Sequence, residues 1–259
     1  MHEVQLASGH RMPMLGLGTW DLRGEQCVEV VLRAIELGYT HIDTAWMYEN
    51  QGPIGRAVRQ CGVDRSELFI TSKIWHTHLE HDEVLAQFEE ILDQLQMDYV
   101  DLLLIHWPSK KSDALQETLR AFEKISAAGR ARSIGVSNFD VELVGQARAI
   151  CQVPICVNQV EYYTHLPQQE LLQHCIRHNV VLTAYRPLGK GGILQDPVLR
   201  AVAQNHGKTV AQVALKWLLQ QGIIVIPKAS SEVHLRQNMD LFDWELDGAE
   251  MQQIGGLSA

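Results

Sequence analysis

The chain has 259 residues, 46% hydrophobic and 20% charged, an ordinary make-up for a globular domain and a typical length for one (β/α)8 barrel. A net charge of −9 argues against non-specific binding to nucleic acid, and no apolar run approaches the length of a membrane span. The five cysteines, Cys27, Cys61, Cys151, Cys156 and Cys175, include no CxxC pair, which argues against a disulfide framework or a structural zinc site and for small packing groups in a reducing cytoplasm.

In chain order, the opening MHEVQLASGH lacks the basic region and apolar stretch of a secretion signal. Residues 3–13 read as a short hairpin turned at Ala7-Ser8-Gly9-His10, suited to plug the bottom of a barrel. Residues 14–18 follow as a first barrel strand. A helix over 24–37 places Cys27, Val28, Val31, Leu32 and Ile35 on one face. Strand-like runs then fall at 40–43, 68–73, 100–106, 131–138, 155–159, 180–185 and 223–228. Helical patterns fall at 80–96, 113–127, 141–150, 168–178, 209–220 and 246–254. The alternation repeats at intervals of roughly 30 residues, one βα unit. The strands are near-continuous apolar runs, as in a parallel sheet covered by helices. We read residues 1–259 as one domain, a (β/α)8 TIM barrel with an N-terminal hairpin cap. A doubly wound open sheet accommodates eight successive units poorly.

Seven of the runs end on a polar residue: Asp43, Lys73, His106, Asn138, Gln159, Tyr185 and Lys228. The C-terminal ends of barrel strands are where active sites are built. Asp43 and Lys73 end neighbouring strands, and a plain rim salt bridge would explain them. Tyr48, five residues beyond Asp43, shifts the balance. An ammonium beside a phenol should lower its pKa and suit it to proton transfer. His106 ends the next strand, and four such groups on adjacent strands point to a reaction centre. Gly16-Leu17-Gly18-Thr19-Trp20-Asp21 begins like a dinucleotide fingerprint but has Asp21 where the third glycine belongs, so a tight exit from the first strand is favoured. His76, His78 and His81 read as a polar loop and no metal is assigned. Lys110-Lys111 reads as a solvated turn.

The segments DTAWMYEN (43–50), TSKIW (71–75), LIHWP (104–108), GVSNF (135–139), NQVEY (158–162), AYRPL (184–188) and IPKAS (226–230) together resemble the successive motifs of the aldo-keto reductase family. The likeness runs in order along nearly the whole chain and is nearest to the bacterial branch that includes 2,5-diketo-gluconate and methylglyoxal reductases. It implies a (β/α)8 barrel that uses NADPH. Tyr48 is then the general acid, Lys73 tunes it, Asp43 pairs with Lys73, and His106 positions the carbonyl. Ser137, Asn138 and Gln159 would hold the nicotinamide carboxamide, and Tyr185 would stack on the ring. Leu188 and Gly189 open a glycine-rich segment that would approach the pyrophosphate. Lys228, Ser230, His234, Gln237 and Asn238 would meet the adenosine end, with Lys228 on the 2′-phosphate. The polar ring thus divides into a proton-transfer half and a cofactor half.

Two departures concern that phosphate. Ala229 stands where the family commonly has serine, and His234 where it commonly has arginine, so the grip should be weaker and NADH use less disfavoured. The loops after His106 and at the C-terminus are short. An open pocket walled by Trp20, Trp46, Trp75 and Trp107 is expected, suited to small or varied carbonyl compounds. The expectation is a cytoplasmic, monomeric NADPH-dependent reductase of aldehydes and ketones, without nucleic-acid or membrane partners. The alternatives are an NADPH-sensing module on the same barrel and a barrel hydrolase or lyase.

Overall fold

The computed structural model describes residues 2–109 and 114–257. The first element is the hairpin, β1 (Glu3–Gln5) against β2 (Arg11–Pro13), turned through Gly9 at φ +88°. Leu6 and Met12 from this hairpin bury against Phe69, Leu102, Leu104, Cys156, Val157 and Ile224. The hairpin therefore closes one end of the barrel with apolar side chains, and the open chemistry is left to the other end.

The barrel strands are β3 (Leu17–Gly18), β4 (His41–Asp43), β5 (Phe69–Ile74), β6 (Val100–Ile105), β7 (Ala131–Ser137), β8 (Ile155–Glu161), β9 (Val181–Tyr185) and β10 (Ile224–Val225). Each pairs in parallel with the next. The ring closes where the Val225 N–H donates to the Met14 carbonyl (3.0 Å) and the Gly16 N–H donates to the Val225 carbonyl (2.9 Å). The seam strands are shorter than their apolar runs suggest. Pro227 has no N–H and ends the ladder, accepting instead from the Gly18 N–H at 3.2 Å.

Glycine is required at that seam. A Cβ on Gly16 would lie 2.4 Å from Nδ1 of His41, and one on Gly18 would lie 2.5 Å from the Ile226 carbonyl oxygen. The GxG pattern thus serves strand closure around a buried histidine ring and not a dinucleotide turn. Side chains alternate across every strand. Leu102 and Leu104 enter the inner cluster, while Leu103 and Ile105 pack outward against the helices.

The helices are α1 (Gly24–Glu36), α2 (Gln51–Gln60), α3 (His81–Leu95), α4 (Ala114–Ala127), α5 (Val141–Ile150), α6 (Gln169–Arg177), α7 (Pro197–His206), α8 (Val210–Gln220), α9 (Glu232–Met239) and α10 (Gly248–Gly255). Three of them, α2, α7 and α9, were not expected. α2 carries two glycines and a proline, and it fits because Gly55 lets it approach the Leu95 backbone. α9 has a thin buried face, Leu235 and Asn238, and so little periodic signal. Residues 110–113, with the expected Lys110-Lys111 turn, the end of the short loop after His106 and the expected first residue of α4, lie outside the described residues. Among those described, no helix is long and apolar enough to cross a membrane. All five cysteines are free, and Cys27, Cys156 and Cys175 are buried.

Candidate active site

The inward face of β4 ends on Asp43 and that of β5 reaches Lys73; they are 2% and 0% exposed. Lys73 Nζ donates to Asp43 Oδ1 at 2.6 Å and to the Thr44 carbonyl at 2.8 Å. Burial pulls the Lys73 pKa down, but the Asp43 carboxylate and the Tyr48 phenol more than offset this, so its pKa lies above the ordinary lysine value. Lys73 is a fixed ammonium.

Tyr48 sits in a one-turn 3-10 helix, Trp46–Tyr48, which Glu49 ends at φ +53°. Asn50 holds this turn in place. Its Oδ1 accepts from Thr44 Oγ1 at 2.7 Å, and its Nδ2 donates to the carbonyls of Thr19 (2.8 Å) and Leu22 (3.2 Å). The Tyr48 ring centroid is 5.0 Å from Lys73 Nζ, with edge contacts to Trp20 (4.9 Å) and His106 (5.6 Å). Burial at the base of the cleft raises the Tyr48 pKa, and the opposing pull of Lys73 does not cancel it. The expected lowering is thus corrected: in the free protein desolvation outweighs the ammonium, and the phenol keeps its proton. His106, 8% exposed, is pushed down to about 2 by burial, with the Lys73 and His76 charges adding to it, so its imidazole is neutral.

These groups lie at the base of a cleft of about 630 Å³. Trp20, Trp75 and Trp107 line its β3–β6 side, and Trp20 and Trp107 are exposed on its rim. Trp46 does not line it. At three residues per turn, Trp46 and Tyr48 leave the 3-10 helix in different directions. The Trp46 indole Nε1 instead donates to Glu90 Oε2 on α3 at 2.8 Å, and Met47 takes the wall position.

The far wall consists of Ser137, Asn138, Gln159 and Tyr185 from the ends of β7, β8 and β9. Ser137 Oγ donates to the Gln159 carbonyl at 2.7 Å. Asn138, at φ +62°, donates to the His106 carbonyl (3.0 Å) and accepts from the Tyr185 hydroxyl (2.8 Å). Gln159 Nε2 donates to Asp43 Oδ2 at 2.7 Å. The two halves expected of the polar ring are thus in direct contact, because this amide joins the far wall to the Lys73–Asp43 pair. Burial pushes the Tyr185 phenol up to about 12.

Beyond β9 and β10 the cleft is lined by Arg186, Leu188, Lys190, Gly191 and Lys228. Gly189 lies behind this surface, since a Cβ there would meet the Tyr163 ring at 2.9 Å. Ser230, His234, Gln237 and Asn238 do not line the cleft. Ser230 and His234 are exposed, Gln237 is half-buried, and Asn238 is buried. Asn50 and Arg186 were missed as site residues. Both fall inside quoted motifs, and the arginine of AYRPL was a readable charge. The role of Asn50 depends on two loops meeting, which spacing does not show.

Among the described residues, Arg186, Lys190 and Lys228 line the cleft with cations and the paired Asp43 is its one acid, while Arg186 and Lys228 face the carboxylates of Glu161 and Asp21, each at 3.4 Å, from outside the lining. A chain of net charge −9 thus keeps a cationic cleft beside a buried ion pair, a phenol and an imidazole. Fold and site together define a (β/α)8-barrel protein whose cleft gathers a phenol, an imidazole and basic side chains beside a buried Lys73–Asp43 pair.

Comparison with known proteins places the chain within that class. The family model described as "Aldo/keto reductase family" matches residues 14–259, and the chain belongs to this family of oxidoreductases. It is 42% identical over 256 residues to the glyoxal reductase of Bacillus subtilis (strain 168), covering 98% of this chain and 92% of that protein. It superposes on the crystal structure of an aldo/keto reductase from Brucella melitensis with a TM-score of 0.95, 37% identity and 99% of each chain covered. A putative 2,5-diketo-D-gluconic acid reductase B gives a TM-score of 0.95 at 37% identity, covering 100% of this chain and 92% of that one.

Proposed function

We propose that the protein reduces small aldehydes and ketones to alcohols with NADPH, with Tyr48 as the general acid. The observation that carries this reading is the Tyr48 phenol and the neutral His106 imidazole on one cleft wall above the buried Lys73–Asp43 pair. When bound, the reduced nicotinamide supplies a hydride to the carbonyl carbon. The Tyr48 hydroxyl donates its proton to the carbonyl oxygen. Lys73 then faces the nascent phenolate and stabilises its charge where little water reaches. His106 orients the carbonyl oxygen by hydrogen bonding, and because it is neutral it does not compete as a proton source.

The residues present fit the dinucleotide. Tyr185 offers a flat ring, and Ser137, Asn138 and Gln159 offer amide and hydroxyl partners on the same wall. Arg186, Lys190 and Lys228 supply charge for phosphates, with NADH as the weaker alternative. Ser230, His234 and Gln237 would have to be reached beyond the cleft. Likeness to a protein named glyoxal reductase supports small dicarbonyls as the first substrates to try here, methylglyoxal among them, with diketo sugar acids and aromatic aldehydes as further candidates. Action as a cytoplasmic monomer is part of the same proposal, and the unpaired cysteines agree with a reducing compartment.

The test is a steady-state panel of these carbonyls with NADPH and with NADH. Turnover with at least one class, faster with NADPH, is expected. Absence of turnover with every carbonyl, despite tight NADPH binding, would overturn the reductase reading in favour of a sensing module.

A further inference from the structure

One charged pair spans the barrel seam at the cleft mouth. Lys228, just after β10, places Nζ 3.4 Å from Oδ2 of Asp21, which follows β3. The two lie 207 residues apart in sequence and both are solvent-facing. An exposed pair of this kind adds little to stability. Its consequence is electrostatic: Lys228, the cation expected to take a 2′-phosphate, already has a carboxylate beside it. His234, further along, is exposed, and its backbone N–H is taken by Ser231 Oγ at 3.3 Å.

We propose that Asp21 is a specificity-determining residue that competes with the 2′-phosphate of NADPH for Lys228 and so narrows the preference for NADPH over NADH. The inference rests on the nicotinamide reading above. A phosphate bonded to Lys228 would lie within a few ångströms of the Asp21 carboxylate. Two unit charges about 6 Å apart in water change a binding constant about threefold, and a phosphate carries nearly two charges. NADH lacks the 2′-phosphate and does not meet this repulsion.

Asp21 stands at φ +64°, where asparagine is among the few side chains tolerated. Asp21→Asn therefore removes the charge while keeping the turn. The experiment titrates NADPH and NADH into the wild type, Asp21→Asn, Lys228→Met and the double variant, following intrinsic tryptophan fluorescence. Asp21→Asn should tighten NADPH by about three- to tenfold and leave NADH within about twofold, more clearly at low salt. In the Lys228→Met background the gain should shrink, because the phosphate is no longer drawn to that corner. The thermal midpoint should not move. An equal change for both dinucleotides, or no change, overturns the role of Asp21 while leaving the cofactor reading intact. Failure of the wild type to bind either dinucleotide overturns the cofactor reading and this inference with it.

Discussion

Tyr48, Lys73 and His106 interact, and each has a distinct expected failure. Tyr48→Phe keeps the ring and removes the proton. Turnover should fall by about 10²- to 10⁴-fold with dinucleotide affinity largely kept, as single-turnover and binding measurements would show. Lys73→Met leaves the Asp43 carboxylate buried against a methyl group. Urea unfolding should register a loss of about 3–5 kcal/mol besides the loss of activity. The ionisation states also set a pH profile. Tyr48 and Lys73 are raised above their ordinary values near 10 and 10.5, and His106 is lowered to about 2. None of the three changes charge across neutral pH, so kcat/KM for reduction should be flat from about pH 5 to about pH 9. A limb near pH 6.5 would instead assign an ionising His106. The quoted motifs already carried these residues. The sign of the Tyr48 shift was not readable, because spacing shows the nearby ammonium but not how much water the fold removes.

The strands and helices set the precision with which these groups meet. The closing seam leaves no room for a side chain at Gly16, and Gly16→Ala would drive a methyl into the His41 ring. A loss of about 1–3 kcal/mol in chemical denaturation is expected, the usual range for overpacking. α8 depends on its start: Thr209 Oγ1 accepts from the Gln212 N–H, and Gln212 Oε1 accepts from the Thr209 N–H at 2.9 Å. Thr209→Ala should cost about 1 kcal/mol in the same assay. Long amphipathic helices such as α1 and α3 were legible, because their buried faces repeat strictly. α7 was missed although its start was readable. Asp196 caps it by accepting from the Val198 and Leu199 N–H groups, and Pro197 occupies its first position. α2 and α9 were hidden because neighbouring backbones, not a strong apolar face, hold them.

Across the molecule, the barrel confines two imidazoles in dry positions and couples folding to acid. His41 is fully buried and lowered to about 4, first by desolvation. Neutral His41 is compatible with the fold, so its contribution is complete above the unfolded value near pH 6.5 and is lost as pH falls toward 4. That loss should reach about 3 kcal/mol. His106 adds to it in the same direction, over a range extending further into acid. Urea midpoints measured from pH 7 down to pH 4 should fall more steeply for the wild type than for His41→Leu. Equal slopes would show that His41 does not carry the effect.

The alternation of apolar runs and helical faces by itself determined the barrel, its hairpin plug and the ring of polar strand ends, because period and length are local properties of a chain. The candidates for proton-transfer chemistry could be named for the same reason, since residue types at strand ends need only be read off. Three things were decided by tertiary structure. Gln159 bridges to Asp43, Trp46 turns away from the cleft to Glu90, and Lys228 meets Asp21 across the seam. Each joins residues distant in sequence through the direction a side chain takes. Those directions follow from packing and burial in the closed barrel, where desolvation also reversed the expected sign at Tyr48.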